Sequence, residues 1–115
     1  MRLKLTVAIV GAFIWFLLIL SLLVGQAQAR PPVPAPVFKA VRTYWHTKPE
    51  RIKTFDVIWC ESRYSIWAEN GQYLGLFQMG DWARSTYGHG YSAMAQARSA
   101  HRYYMDSGWT GWECA

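Results

Sequence analysis

The residue best placed for chemistry is Glu61. It follows Ile52, Phe55, Ile58 and Trp59, whose spacing predicts one apolar stripe along a helix up to about Cys60. On that helix Glu61 lies off the stripe, one turn beyond Val57. A carboxyl there can face a cleft between the helix and the next segment, walled by Trp67, Tyr73 and Phe77. Apolar walls disfavour the charged form and raise a glutamate pKa, as general-acid work at neutral pH requires. Such an acid can protonate the leaving oxygen of a glycosidic bond. Taken alone, though, a glutamate at a helix end is more often a solvated charge.

Other chemistries find little support. His46, His89 and His101 do not stand at ligand spacing, and there is no HExxH or CxxC, so no metal is expected. No glycine loop cradles a phosphate and no cofactor is expected; a Ser-His-Asp triad finds no support in a nucleophile-elbow pattern. A cysteine nucleophile would require Cys60 or Cys114 to stay reduced.

Those two cysteines bear on location. Residues 1–29 hold Arg2 and Lys4, an apolar run from Leu5 to Gly25, and Ala27-Gln28-Ala29. A basic start, an apolar stretch and a small-x-small site describe a signal peptide. The run is also long enough to cross a bilayer as an uncleaved anchor. Either way the rest of the chain is expected outside the cytoplasm, secreted or associated with the cell wall, with membrane contact only if the first segment is retained. An even pair of cysteines in a small exported domain predicts a disulfide between Cys60 and Cys114.

The elements that must position Glu61 follow from local signals. Residues 30–46 carry Pro31, Pro32, Pro34 and Pro36 and are expected to form a stiff, extended linker. The domain is then expected at 47–115. Thr47-Lys48-Pro49-Glu50 reads as a capping box for the first helix. Asn70-Gly71, between Ile66-Trp67-Ala68 and Tyr73-Leu74, signals a hairpin. A short helix is expected over Asp81–Tyr87, closed by Gly88 and with Asp81 as its N-cap. Ser92 can cap a last helix whose inner face is Met94, Ala97, His101, Tyr104 and Met105, stopped at Gly108. The tail to Cys114 must fold back for the disulfide. The fold class is therefore mainly α (α+β): helices around a groove, one short β-hairpin, one disulfide staple.

Composition sets the outer limits. With 115 residues, 52% hydrophobic and 17% aromatic, the chain has room for one packed domain, and a multi-domain enzyme or a rod is excluded. The net charge of +5 is concentrated partly in Lys39, Arg42, Lys48, Arg51 and Lys53. That stretch suits an anionic surface or a solvated face. Nucleic acid is not an expected partner, since no recognition motif accompanies the charge.

Three clusters stand in order: Trp59-Cys60-Glu61-Ser62, then Tyr73-Leu74-Gly75-Leu76-Phe77-Gln78-Met79 with Trp82, then Gly108-Trp109-Thr110-Gly111-Trp112-Glu113-Cys114. Together they resemble the transglycosylase-like branch of the lysozyme superfamily, and most nearly its resuscitation-promoting-factor type. The resemblance covers roughly residues 50 to 115, the whole expected domain. It departs from the pattern at Arg63 and Tyr64, where the family has Gly or Asn. The stretch Gln78–Trp82 is closer to the soluble-lytic-transglycosylase arrangement.

The resemblance implies a small lysozyme-like fold in which Glu61 is the catalytic acid and Gln78 contacts the sugar backbone. Tyr73, Trp67 and Trp82 become candidates for stacking on sugar faces, with core packing as their alternative. It also implies a monomeric peptidoglycan-cleaving enzyme whose partner is the glycan strand. Lytic transglycosylation by one Glu is the expected reaction. A muramidase would use a second carboxylate, for which Glu69 and Asp81 are the nearby candidates. A non-catalytic wall-binding module or a membrane-anchored scaffold would keep the aromatic surface without turnover.

Overall fold

The structure, a computed structural model, describes residues 30–115. The expected export segment, 1–29, lies outside them. The first helix, α1 (Ala35–Tyr44), occupies the stretch expected to stay extended. Pro34 is its N-cap and Pro36 lies in its first turn. Amide hydrogens at these positions have no partner within a helix, so a proline there removes nothing. The prolines thus limit where the helix begins and leave the residues after Pro36 free to continue it. Val37, Ala40 and Val41 recur at helical spacing and are buried, and Trp45, just past the helix, is 1% exposed. The linker expected at 30–46 is corrected accordingly: the compact unit runs from Val33 to Ala115.

Helix α2 (Lys48–Ser62) starts as its capping box predicts. The Glu50 N–H donates to the Thr47 hydroxyl at 3.3 Å, and the Thr47 N–H donates to Glu50 Oε2 at 3.1 Å. Its inner face differs from the expected stripe. Thr54, Val57, Ile58 and Ser62 are buried, whereas Ile52 is 52% exposed. The reason is local hydrogen bonding: Thr54 Oγ1 donates to the Glu50 carbonyl at 2.8 Å and Ser62 Oγ to the Ile58 carbonyl at 3.1 Å. With their hydroxyls satisfied, both polar residues can be buried on the helix. This rotation carries Glu61, between Val57 and Thr54 on the wheel, toward the domain. Arg63 and Tyr64 then turn the chain with φ of 54° and 64°. These are left-handed values, a conformation that Gly and Asn adopt more readily than Arg or Tyr.

Strand β1 (Glu69–Asn70) pairs antiparallel with β2 (Tyr73–Leu74), with Asn70 opposite Tyr73. The two-residue turn is Gly71-Gln72, one place later than an Asn-Gly turn would sit. Gly71, with φ of 61°, supplies the positive φ that a type II′ turn needs at its first position. A second bridge, Leu74 to Met79, closes the loop that holds Gln78. Arg84 donates to the Gln72 and Met79 carbonyls and ties hairpin and loop to the next helix.

That helix, α3 (Asp81–Tyr87), is closed at Gly88 as expected, but its N-cap is Gly80. Asp81 is instead in the first turn and binds Arg84 at 2.6 Å. Helix α4 (Ala93–Ser107) is capped by the Ser92 hydroxyl and stops at Gly108. Its buried residues are Ala93, Gln96, Ala97, Ser99 and Ala100, while Met105 is 68% exposed. Small side chains face inward because α1 packs chiefly against α4, and close helix approach favours them. Among the described residues the fold is mainly helical with one two-stranded hairpin, a small α+β fold.

The tail packs back onto this frame. Trp45 stacks between Phe77, at 5.7 Å, and Trp109, at 6.0 Å. Trp112 is buried, and its indole N–H donates to the Phe77 carbonyl at 2.9 Å. The Cys60–Cys114 disulfide fixes the end of the tail to the last turn of α2.

Candidate active site

Glu61 projects from the last turn of α2 into a cleft of about 310 Å³. The hairpin contributes Asn70 and Tyr73 to its walls, the following loop Gln78, and the tail Gly111, Trp112 and Glu113. A second lobe of about 230 Å³ shares Tyr73, Gln78, Gly111 and Trp112 and adds Trp82 and Tyr103. The shared walls make the two lobes a single groove that passes Glu61 at one end.

The surroundings of Glu61 favour its protonated form. Partial burial pushes its pKa up from the ordinary carboxylate value. The Cys114 N–H, which donates to Glu61 Oε1 at 3.4 Å, works the other way. The negative charge of Glu113 adds to the upward push. A carboxyl that keeps its proton in a groove can act as a general acid.

Gln78 lies in both lobes with φ of 47°. Its Nε2 donates to the Ala68 carbonyl at 3.1 Å and the Gly75 carbonyl at 3.0 Å. Both amide hydrogens are thereby used, which leaves Oε1 as an acceptor for a ligand hydroxyl or N–H. Tyr73, at 46% exposed, stands between the lobes, and Trp82, at 63% exposed, lies in the second. Trp67 is not brought to this groove. It is 68% exposed, stacks on Tyr91 at 6.0 Å and lines a separate hollow with Leu74 and His89. Phe77 is core rather than wall, at 1% exposed.

Of the carboxylates considered as partners for Glu61, Glu69 faces the Trp67 hollow and Asp81 is held by Arg84. The one that lines the cleft is Glu113, which sequence reasoning missed. Its signal was the disulfide: Glu61 follows Cys60 and Glu113 precedes Cys114, so pairing the cysteines draws the two carboxyls together. Gln96, also missed, supports the site from beneath. It is 3% exposed, accepts the Leu76 N–H at 2.8 Å, and donates to the carbonyls of Ile66 at 3.1 Å and Gly90 at 2.8 Å.

In comparisons with known proteins, no family model, no curated protein and no solved structure matches the chain.

Proposed function

We propose that this chain is an exported enzyme that cleaves the β-1,4 bond between N-acetylmuramic acid and N-acetylglucosamine in peptidoglycan, with Glu61 as the proton donor. The observation that carries the proposal is Glu61 itself: a partly buried carboxyl with a raised pKa at one end of a groove walled by Tyr73, Gln78 and Trp112. The ordered resemblance to transglycosylase-like domains of the lysozyme superfamily supports the choice of substrate. The disulfide is in keeping with export.

In this reading a glycan strand lies along the two lobes. Tyr73 and Trp82 offer ring faces to the sugars, and Gln78 Oε1 accepts a hydrogen bond from a sugar N–H or hydroxyl. Glu61 gives its proton to the glycosidic oxygen as the bond to C1 breaks. In lytic transglycosylation, the resulting carboxylate takes the proton of the muramic 6-hydroxyl as that oxygen closes a 1,6-anhydro ring. Hydrolysis is the second reading, and the position of Glu113 in the cleft is what favours it.

The test is mass spectrometry of glycans released from purified peptidoglycan by the exported, disulfide-bonded protein and by its Glu61→Gln variant. Release by the former and its loss in the latter are expected. No release by a folded, oxidised wild-type protein leaves a wall-binding module as the reading.

A further inference from the structure

Glu113 has no structural employment that accounts for its position. It is exposed, and among the described residues no cation or hydrogen-bond donor is paired with its carboxylate. The Cys60–Cys114 bond nevertheless holds it beside Glu61, in the wall of the same cleft. Two carboxyls fixed together without a cation repel one another once both are ionised. The disulfide sets that juxtaposition, and the two carboxyls it brings together can divide their labour: one keeps a proton to give, and the other is free to take one.

The candidates for the second role differ in access. Asp81 is tied to Arg84 at 2.6 Å, outside the cleft, and Glu69 lies at the separate Trp67 hollow. Glu113 is open to solvent and faces the space where a sugar must sit to reach Glu61. Water can therefore approach it while the substrate is bound.

We propose that Glu113 is the second catalytic carboxylate of the cleft and that it selects water over the muramic 6-hydroxyl as the attacking group. The inference rests on the glycan-cleaving reading of Glu61. In the step, water transfers a proton to the Glu113 carboxylate as its oxygen forms the new bond to C1. The bond from C1 to the leaving oxygen breaks, and that oxygen takes the proton of Glu61. The products are a reducing end and a free hydroxyl, with both carboxyls back at their starting charge after one proton exchange with solvent.

The experiment is digestion of purified peptidoglycan in ¹⁸O-water by the exported protein, by Glu113→Gln and by Glu61→Gln. Formation of the disulfide and the far-UV circular dichroism of each are checked first. The wild-type protein is expected to release reducing-ended fragments carrying ¹⁸O at C1. In Glu113→Gln that product falls about a hundredfold or more, the scale of a lost general base, and any remaining fragments have anhydro ends. Glu113→Asp, which keeps the carboxylate on a shorter arm, restores part of the ¹⁸O-labelled product. Anhydro-ended fragments from wild type and Glu113→Gln alike overturn the role of Glu113 and leave Glu61 as the acid. So do reducing ends formed by Glu113→Gln at the wild-type rate. Absence of any release by the wild-type protein overturns the reading of Glu61, and this inference with it.

Discussion

The backbone N–H of Cys114 donates to Glu61 Oε1 at 3.4 Å, so the residue bonded to Cys60 also touches the side chain of the residue after it. Disulfide and acid are thus a single local arrangement. The staple closes a loop with a sequence separation of 54 and brings the tail walls to the cleft.

Replacing Cys60 and Cys114 together by Ser should therefore affect both stability and chemistry. Loss of a loop closure of this length is expected to cost on the order of 4 kcal/mol. That is a large share of the roughly 5–15 kcal/mol typical of small domains. Urea unfolding of the two proteins measures it. If the cleft cleaves glycan as proposed, release should fall more than unfolding alone explains, because Glu113, Gly111 and Trp112 lose their anchor. A double variant with the wild-type midpoint would show that packing of Trp109 and Trp112 holds the tail by itself.

Glu61 should also leave a mark on the pH dependence of stability. Its pKa in the folded chain is raised, chiefly by burial and further by Glu113, above that of the unfolded chain. Below the unfolded pKa both states hold the proton and the residue is neutral for stability. As pH rises through the folded pKa, the folded state must ionise a disfavoured carboxyl and stability falls. Glu61→Gln removes this penalty, and its side-chain oxygen can still accept the Cys114 N–H. The variant is expected to melt with wild type in acid and above it at neutral pH. The opposite order at neutral pH would mean that the ionised carboxylate is the better acceptor and that burial matters less.

Much of this arrangement could be read from residues whose signals are local. Thr47 with Glu50, Gly88, Ser92 and Gly108 mark helix ends through groups within a few positions of each other, and each marks the end it was expected to mark. The disulfide pairing was legible because only two cysteines exist. The inner faces of α2 and α4 were less so. Thr54, Ser62, Gln96 and Ser99 are buried polar residues, and an apolar pattern passes over them. Helix α1 was hidden by the run of prolines at its start, though Pro34 and Pro36 stand where a helix accepts them. Trp67 and Glu113 depended on tertiary placement. The hairpin turns Trp67 away from the groove, and the disulfide draws Glu113 into it.

Gln96 makes the sharpest stability prediction outside the disulfide. Its amide joins three separate backbone segments, at Ile66, Leu76 and Gly90. Gly75 packs so closely that a Cβ there would come within 2.5 Å of Gln96 Oε1. Gln96→Leu is similar in volume but would strand the buried Leu76 N–H and two part-buried carbonyls. At about 1–3 kcal/mol for an unpaired buried group, and less for each part-buried one, a loss of about 3 kcal/mol is expected. Urea unfolding measures it, and a loss below about 1 kcal/mol would mean that water replaces the amide.

Two exposed aromatic residues separate the observed groove from the one expected in the sequence. Tyr73 lines both lobes and Trp67 lines neither. Both are well exposed, at 46% and 68%, so replacing either by Ala leaves the core intact. If the glycan follows the groove, Tyr73→Ala removes a wall worth on the order of 1 kcal/mol. The apparent KM for solubilised peptidoglycan strands should then rise about fivefold, while Trp67→Ala stays within about twofold of wild type. Steady-state kinetics on one strand preparation compare the pair directly. A larger effect at Trp67 would place the sugars on the far side of the hairpin, against Tyr91 and His89.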